Sequence, residues 1–477
     1  MAPCDAKHTV TLTSGRRFVQ GQSPYLFHLL RCDRPLDPGA RYSLGTVDVV
    51  ELERADHARA ERYSENGARM LCIGIPDPGI SSVHAHLEKV LGRWTVDDRK
   101  SKNGTRVDGR RVPPGACAAL ADGSVIEIGH SFFLFRDRLA ANGPEQLDGK
   151  DLNPAAPGLA TFSPMLAAQF ERLARVARAP ERLPVLLQGE TGTGKEVVAR
   201  AIHAVSRRPG PFVAVNSGAL PQSLVESELF GHRKGAFTSA TEDREGLVQR
   251  SHRGTLLLDE IGDLPLPAQA ALLRVLQEEE VLAVGSNRPV KVDLRVVAAT
   301  HRDLEKLAAE EKFRSDLLAR LAGAVVHLPP LRERREDLGL LIGALLRKRP
   351  SDVAKAVAFS PEAARALLFH AWPRNVRELE KGLAAAIVQS DGGLIELEHL
   401  PPEVRSAAAV RASSHPSPSS TPPRDEKYDL LVGQLDANGW NVTNVARAMG
   451  KARSHVQRLM RRYGIKALPV RRRDPPT

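Results

Sequence analysis

The sequence predicts a multidomain protein: an all-β sandwich, a parallel α/β domain with a helical lid, and a short all-α module. Three observations carry that expectation. Up to about residue 137, short runs such as YLFHLLRC, DVVELER, RMLCIGI, VIEIG and FFLFR are punctuated by Pro and Gly turns, as in a sandwich. The middle alternates apolar strands with amphipathic helices (PVLLQG, EVVARAIHAV, FVAVN, GTLLLDE, AALLRVLQ, LRVVAAT), the rhythm of a parallel sheet covered by helices. After His327 the pattern turns helical, and it ends in a basic helical stretch.

Two stretches read as linkers. Residues 138–158 are polar with Gly and Pro, and residues 403–424 are Ser/Pro/Ala-rich and cannot bury enough surface to order themselves. The expected divisions are a sandwich over 23–137, a linker over 138–158, an α/β core over 159–330 and a lid over 331–402. A disordered linker over 403–424, a helical module over 425–467 and a basic tail over 468–477 follow. A chain of 477 residues exceeds what one core organises. No apolar run approaches the ~20 residues that span a bilayer, and the amino terminus lacks a signal-peptide core. A cytoplasmic protein is therefore expected. Cys4, Cys32, Cys72 and Cys117 show no CxxC spacing, which argues against a zinc site or a disulfide framework. The net charge of +11 is modest, but Asp425 to Thr477 holds 11 Lys/Arg against 5 Asp/Glu. Basic charge on a short helical module points to nucleic acid, although a basic tail can equally be merely solvated.

Gly189, Glu190, Thr191, Gly192, Thr193, Gly194 and Lys195 (GETGTGK) stand between the strand LPVLLQ and the helix EVVARAIHAV. That is the setting of a phosphate loop: backbone N–H groups and the helix amino terminus cradle phosphate oxygens while Lys195 reaches the β and γ phosphates. Glu196 follows, where Ser or Thr usually contacts magnesium. GTLLLDEIGDLP supplies a buried strand ending in Asp259 and Glu260, at the strand end that faces the nucleotide crevice. Asp259 is placed to hold Mg2+ and Glu260 to orient and deprotonate the attacking water. Between these motifs, ELFGHRKGAFTSA leaves Phe237 and Thr238 at a loop tip flanked by Gly235 and small residues from Ser239. An aromatic ring there is either tucked back into the core or held out for a partner.

ESELFGHRKGAFTSA resembles the surface loop by which bacterial enhancer-binding proteins, a branch of the AAA+ ATPases, engage the sigma-54 form of RNA polymerase. The family's loop reads GAFTGA, so Ser239 departs from it at the fifth position. The resemblance spans roughly residues 159–402 and implies an ATP- and Mg2+-dependent homo-oligomer, a hexameric ring, with Gly235, Ala236, Phe237 and Thr238 contacting sigma. Glu commonly stands at the position of Glu196 in this family. Asn216 matches an asparagine that restrains the catalytic Glu, and Thr300 in RVVAATHRDL the first sensor. Arg314 and Arg320 in FRSDLLARL match arginines that reach the neighbouring subunit's nucleotide, worth about 10³–10⁵ in rate. HLPPLRERREDL resembles the link into the lid, and Arg377 in WPRNVREL the second sensor. Arg374 stands where the family usually has Gly, which is expected to alter a turn rather than chemistry.

GISSVHAHL and SKNGTRVDG resemble the two phosphopeptide-reading loops of a forkhead-associated (FHA) domain. The resemblance implies Ser81 on phosphate, His84 bracing its loop from inside, and Asn103 holding the peptide backbone, with Gly104 making the turn. Aligning VVELER puts Arg54 at the Arg of the family's Gly-Arg pair, with Glu53 in place of the Gly. Ser82 stands where an Arg commonly follows the serine. The implied partner is a phosphothreonine protein or a Ser/Thr kinase; a sandwich kept for protein contacts or autoinhibition is the alternative.

Residues 441–465 (NVTNVARAMGKARSHVQRLMRRYGI) place two short helices about a Met-Gly turn, with Val445, Ala446 and Met449 expected to pack on Val456, Leu459 and Met460. This resembles the Fis-type helix-turn-helix of enhancer-binding proteins. Arg453, Ser454, His455 and Gln457 are then the expected base readers, and Arg458, Arg461 and Arg462 the phosphate contacts on double-stranded DNA. A helical hairpin for dimerisation is the alternative. The whole reads as a sigma-54-dependent activator that binds upstream DNA and remodels the closed promoter complex. An AAA+ remodeller with another target, which Ser239 encourages, and a non-enzymatic DNA-binding repressor on a dead ATPase fold are the competing readings. The intact Lys195, Asp259, Glu260 and paired arginines argue against the last.

Overall fold

A computed structural model describes residues 21–90, 93–140, 143–237, 240–407, 426–438, 440–450 and 453–462. The amino-terminal strands are β1 (Gln22–Arg31), β2 (Ala40–Ser43), β3 (Val49–Arg54), β4 (Arg59–Glu65), β5 (Ala68–Ile75), β6 (Ala85–Val90) and β7 (Arg93–Asp98). They continue with β8 (Thr105–Val107), β9 (Arg110–Arg111), β10 (Cys117–Ala119), β11 (Val125–Ile128), β12 (Ser131–Ala140) and β13 (Gln146–Asp148). One sheet runs β13-β2-β1-β12-β11-β8-β9 and the other β10-β7-β6-β3-β5-β4. In β1 and β12 the apolar runs YLFHLL and FFLF do not alternate with polar residues, because both faces are covered. Tyr25, Phe27, Leu29, Phe132 and Leu134 belong to a core shared with the lid, while Leu26, Phe133 and Phe135 are as deeply buried.

Residues 138–158, expected as a linker, are instead part of the packed structure. The strand β12 runs on to Ala140, and β13 completes the sheet against β2. Ala156 and Leu159 are buried against the central α/β core. The polarity of this stretch hid the strand because an edge strand is held by main-chain bonds, which no side-chain pattern announces. Gly149 sits so close to the chain that its N–H bonds Gly39 O at 2.7 Å.

The central domain is a five-stranded sheet in the order Phe212–Asn216, Thr255–Asp259, Arg295–Thr300, Val185–Gln188, Ala324–His327, and every pairing is parallel. Helices Pro164–Arg178 and Lys195–Ser206 pack on one face, and Leu266–Glu278 and Ser315–Leu321 on the other. Asn216 pairs with Asp259 in register, and Gln188 with Thr300, so their strand ends converge at one edge. Among the described residues no helix is long and apolar enough to cross a membrane.

The lid comprises helices Leu338–Leu346, Ser351–Ala356, Pro361–Phe369 and Asn375–Gln389. Its apolar residues Leu338, Ile342, Leu346 and Leu367 share one core with the outer face of β1 and β12. Gly339 lies against the sandwich backbone: a Cβ there would sit 1.7 Å from Leu29 O. Phe359 N–H bonds Cys32 O at 2.7 Å. Arg365 forks the Glu127 carboxylate at 2.9 and 3.0 Å, Arg136 Nη1 donates to Glu336 at 2.9 Å, and Arg335 Nη1 donates to Gly123 O at 3.0 Å.

At the carboxyl end, helices Glu426–Ala437, Val442–Ala448 and Arg453–Arg462 enclose Leu431, Leu435, Val445, Ala446, Val456, Leu459 and Met460, with Met449 packed against them. Asn441 caps the middle helix by accepting from Thr443 N and Asn444 N. Gly450, at φ 62, follows the middle helix.

Burial, reinforced by the Asp337 carboxylate, pushes Glu336 up to about 7 against the pull of Arg136. The folded chain therefore keeps a proton that the unfolded chain releases near 4.5, so this group makes stability fall as pH rises from about 4.5 to about 7. Replacing Glu336 by Gln is expected to remove that slope, on the order of 3 kcal/mol. Melting temperature measured across that window checks it; an unchanged slope in the variant would contradict the assignment.

Candidate functional site: a nucleotide crevice under the lid

The strand Val185–Gln188 delivers the chain into the glycine loop, and the helix Lys195–Ser206 leaves it. Lys195 is buried, and its Nζ donates to Gly189 O at 2.8 Å and Glu190 O at 3.3 Å, folded over its own loop. Thr193 Oγ1 donates to Glu190 O at 2.9 Å, and Gly189 N–H reaches Thr300 O at 3.2 Å. Thr191 is exposed, and Gly194 in the left-handed region opens the helix. Gly192 is required on two grounds: φ is +82, and a Cβ would lie 2.4 Å from Arg374 O. Glu196 is turned outward in an i,i+4 pair with Arg200 at 2.7 Å.

Opposite this loop stand Asp259 and Glu260. Burial, then the neighbouring Glu260 charge, raises the Asp259 carboxyl. Burial lowers the Lys195 ammonium despite the pull of Glu260 and Asp259. Three charged groups thus share one partly dry crevice. Glu260 takes a left-handed φ of 53, and its Oε2 accepts from His301 Nδ1 at 2.7 Å and from His301 N at 3.3 Å. Asn216 Oδ1 accepts from Gly218 N at 3.0 Å, capping the turn Ser217–Ala219, and Asn216 pairs in register with Asp259 beside Glu260. Thr300 is fully buried, its Oγ1 accepting from Arg302 N at 2.9 Å.

The lid closes over the loop through residues that the sequence reading passed over. Asn375 is completely buried. Its Oδ1 accepts from Leu331 N at 2.7 Å, and its Nδ2 donates to Glu190 and to Thr191 O, both at 3.1 Å. Arg332 forks Glu190 at 2.6 and 2.8 Å, Arg334 Nη2 donates to Thr193 O at 2.6 Å, and Val376 N–H bonds Gly192 O. Arg332, then Asn375, holds the Glu190 carboxyl down at about 2. Arg377 is exposed with its Cβ against Gly192. Arg374 takes an ordinary φ of −101; the left-handed angles fall on Trp372 and Asn375. In the sequence, HLPPLRERREDL was read by resemblance as the link into the lid, without a role for its individual arginines.

Arg314 and Arg320 do not join this crevice. Arg314 is exposed and paired with Asp316 at 2.7 Å. Arg320 lines a cavity of about 380 Å³ with Arg182, Val275, Glu279 and Gly323. In the loop between the two nucleotide motifs Arg233, Lys234 and Gly235 are exposed, while Ala236 and Phe237 are half-buried; the Phe237 ring meets His232 edge-on at 4.9 Å. Gly235 N–H bonds Ala240 O at 2.9 Å, and a second loop ties in through Arg233 N–H to Val284 O. Ala236 approaches Gly285 of that second loop. Thr238 and Ser239 lie outside the described residues.

In the sandwich, two loops meet over His84. This fully buried ring accepts from Ser81 N at 3.0 Å through Nδ1 and donates to Gly104 O at 3.3 Å through Nε2. Ser81 Oγ accepts from Lys102 N at 3.1 Å, and Asn103 Nδ2 donates to Gly79 O at 2.7 Å. Arg54 N–H bonds Ser81 O, and its side chain is exposed. Underneath, buried Asp77 accepts from Gly79 N, His130 N and Ser131 Oγ; the sequence reading gave it no role. On the last helix Arg453 and Arg458 are exposed and Gln457 half-buried, while the side chains of Ser454, His455, Arg461 and Arg462 lie outside the described residues.

Comparison with known proteins matches residues 159–327 to the Sigma-54 interaction domain, 332–417 to the AAA+ ATPase lid domain and 69–129 to the FHA domain. The acetoin catabolism regulatory protein of Cupriavidus necator is 45% identical over 321 residues, 65% of this chain and 47% of that one. The regulatory protein AtoC of Escherichia coli is 42% identical over 312 residues, 64% of this chain and 67% of that one. The transcriptional regulatory protein ZraR of Klebsiella oxytoca is 43% identical over 303 residues, 63% of this chain and 68% of that one. The chain thus spans between about half and about two thirds of the length of these relatives. It belongs to the family of AAA+ ATPases that carry a sigma-54 interaction domain, here with an FHA domain.

Asn375 satisfies one buried N–H, one carbonyl and one carboxylate at once. Replacing it by Ala orphans the buried Leu331 N–H, while Glu190 keeps Arg332, and is expected to cost about 1–3 kcal/mol, with weaker nucleotide binding because the lid loses part of its hold on Glu190 and Thr191. Thermal melting and titration with a fluorescent ADP analogue check this; a variant with parental stability and affinity would contradict it.

Proposed function

We propose that this chain is a sigma-54-dependent transcription activator that binds upstream duplex DNA, hydrolyses ATP in a ring of like subunits and remodels the closed promoter complex, under control of its FHA domain. The observation that carries this reading is the placement of Phe237. Its loop springs from the segment between the phosphate loop and the Asp259–Glu260 strand, so a change at the nucleotide has a short mechanical path to the ring.

In this reading Gly189 to Gly194 wrap the phosphates, and Lys195 leaves Gly189 O to reach the β and γ oxygens. Thr300 and Arg377 sense the nucleotide from the sheet and from the lid. Asp259 fits a hard divalent cation: its carboxyl at a strand end is raised by burial and by the neighbouring Glu260, and a cation there relieves both. Magnesium, when bound, neutralises charge developing on the phosphates. Among the described residues no group of three His, Cys, Asp or Glu forms a cage, as suits an ion that keeps waters and phosphate oxygens as ligands. Glu260 takes a proton from the attacking water as the new oxygen–phosphorus bond forms and the bond to the leaving ADP breaks. Arg314 and Arg320, exposed and away from their own crevice, serve the neighbouring subunit's nucleotide. Ser81, Arg54 and Asn103 take up a phosphothreonine peptide. Asn216 acts through the turn it caps. The carboxyl-terminal helices form a helix-turn-helix whose last helix enters the major groove, Arg453, Ser454, His455 and Gln457 facing bases and Arg458 and Arg461 facing phosphates.

The test is retention of purified sigma-54 by the chain loaded with ADP and aluminium fluoride. The parent should retain it, and Phe237→Ala should lower retention at least tenfold at matched nucleotide loading. Retention undiminished in the variant, or absent in the parent, would favour an AAA+ remodeller with another target.

A further inference from the structure

We propose that the contact between sandwich and lid is a regulatory joint, through which occupancy of the Ser81–Asn103 loops and occupancy of the phosphate loop change each other's affinity. Its input end rests on the phosphopeptide reading; its output end rests on contacts of the lid alone.

The input side is one short hairpin. Gly104, whose carbonyl receives His84, leads directly into β8. The hairpin turns at Asp108–Gly109, pinned by Asp108 accepting from Ser124 Oγ and Val125 N at 3.0 Å each. At that turn a Cβ on Gly109 would lie 3.3 Å from Arg365 Cδ and 3.6 Å from the Phe369 ring, both in the lid. Arg106 of β8 lies 3.9 Å from Glu127, the carboxylate that Arg365 forks. A displacement of the Asn103–Gly104 loop thus reaches a lid ion pair within five residues.

The output side is the segment from Arg332 to Asp337, whose side chains divide between two partners. Arg332 and Arg334 hold Glu190 and Thr193 O of the phosphate loop. Arg335 and Glu336 hold Gly123 O and Arg136 of the sandwich. Asp337 accepts from Thr161 Oγ1 and Phe162 N, both at 2.7 Å. Because Gly339 is in hard contact with Leu29 O, the joint has no slack to absorb a shift, and packed interfaces of this kind move between discrete arrangements. The docked sandwich holds the lid where Asn375 and Arg377 lie over the loop, so docking favours nucleotide binding. Linkage makes the effect reciprocal, and couplings of this type amount to about 5–150-fold in affinity.

The test uses the full chain and a fluorescent ADP analogue. Arg365→Glu, which sets two carboxylates face to face, should weaken analogue binding at least fivefold. The swap E127R/R365E should restore most of the loss, and the neutral R365M, with melting and limited proteolysis as fold controls, serves if the reversal prevents folding. A folded R365E or R365M with parental affinity overturns the joint. In a second arm, a phosphothreonine peptide selected from a degenerate library should shift analogue affinity at least fivefold in the parent and not in R365M. A peptide that binds without that shift also overturns the joint. If no peptide binds, the phosphopeptide reading fails while the charge-reversal arm still decides the joint.

Discussion

The arrangement of this protein depends on the buried amide of Asn375. One side chain ties the start of the lid helix to Leu331 N, to the Glu190 carboxylate and to Thr191 O. The lid, the phosphate loop and the segment leaving the last core strand therefore share one fixed point. The Leu331 N–H is fully buried, and leaving it unpaired costs roughly 1–3 kcal/mol. The lid consequently sits on the loop even with Lys195 turned back on Gly189 O. The left-handed backbone at Asn375 belongs to the same constraint: asparagine tolerates that conformation and also supplies both donor and acceptor.

From that point the rest follows outward. Arg332 and Arg334 brace the loop, and the next residues along turn to the sandwich, so the FHA domain is built into the lid rather than hung from it. The nucleotide crevice itself is electrostatically unfinished: Asp259 is raised, Lys195 is lowered, and both shifts come first from burial. In the proposed reading, a triphosphate with a divalent cation would supply the charges that each of them lacks. Phe237, against His232, stands on the stretch of chain between these two halves of the crevice.

Much of this was legible in the sequence because it is local. A strand, a glycine loop and a helix in succession define the phosphate site, and TLLLDE announces a buried strand ending in carboxylates. What escaped was non-local. Tyr25, Phe27 and Leu29 read as ordinary sandwich residues, although the unbroken run YLFHLL already signalled a strand covered on both faces. The stretch 138–158 read as a linker because an edge strand draws its stability from main-chain bonds. The His301 contact to Glu260 escaped too, since two residues on adjacent strand ends share no sequence pattern. The resemblance placed HLPPLRERREDL as the link into the lid but gave Arg332, Arg334 and Glu336 no contacts, since nothing in a string of residues tells which charges have main-chain or buried partners to meet.

In the proposed function, ATP turnover at Glu260 is converted into mechanical work on the sigma-54 closed promoter complex. The most direct measurement is open-complex formation on a sigma-54 promoter with purified polymerase, the full chain and ATP, read by permanganate reactivity of the melted bases. The account predicts melting that requires ATP, fails with a non-hydrolysable analogue and is lost when Glu260 is replaced by Gln. Melting that proceeds without hydrolysis, or no melting while ATP is being turned over, would contradict it.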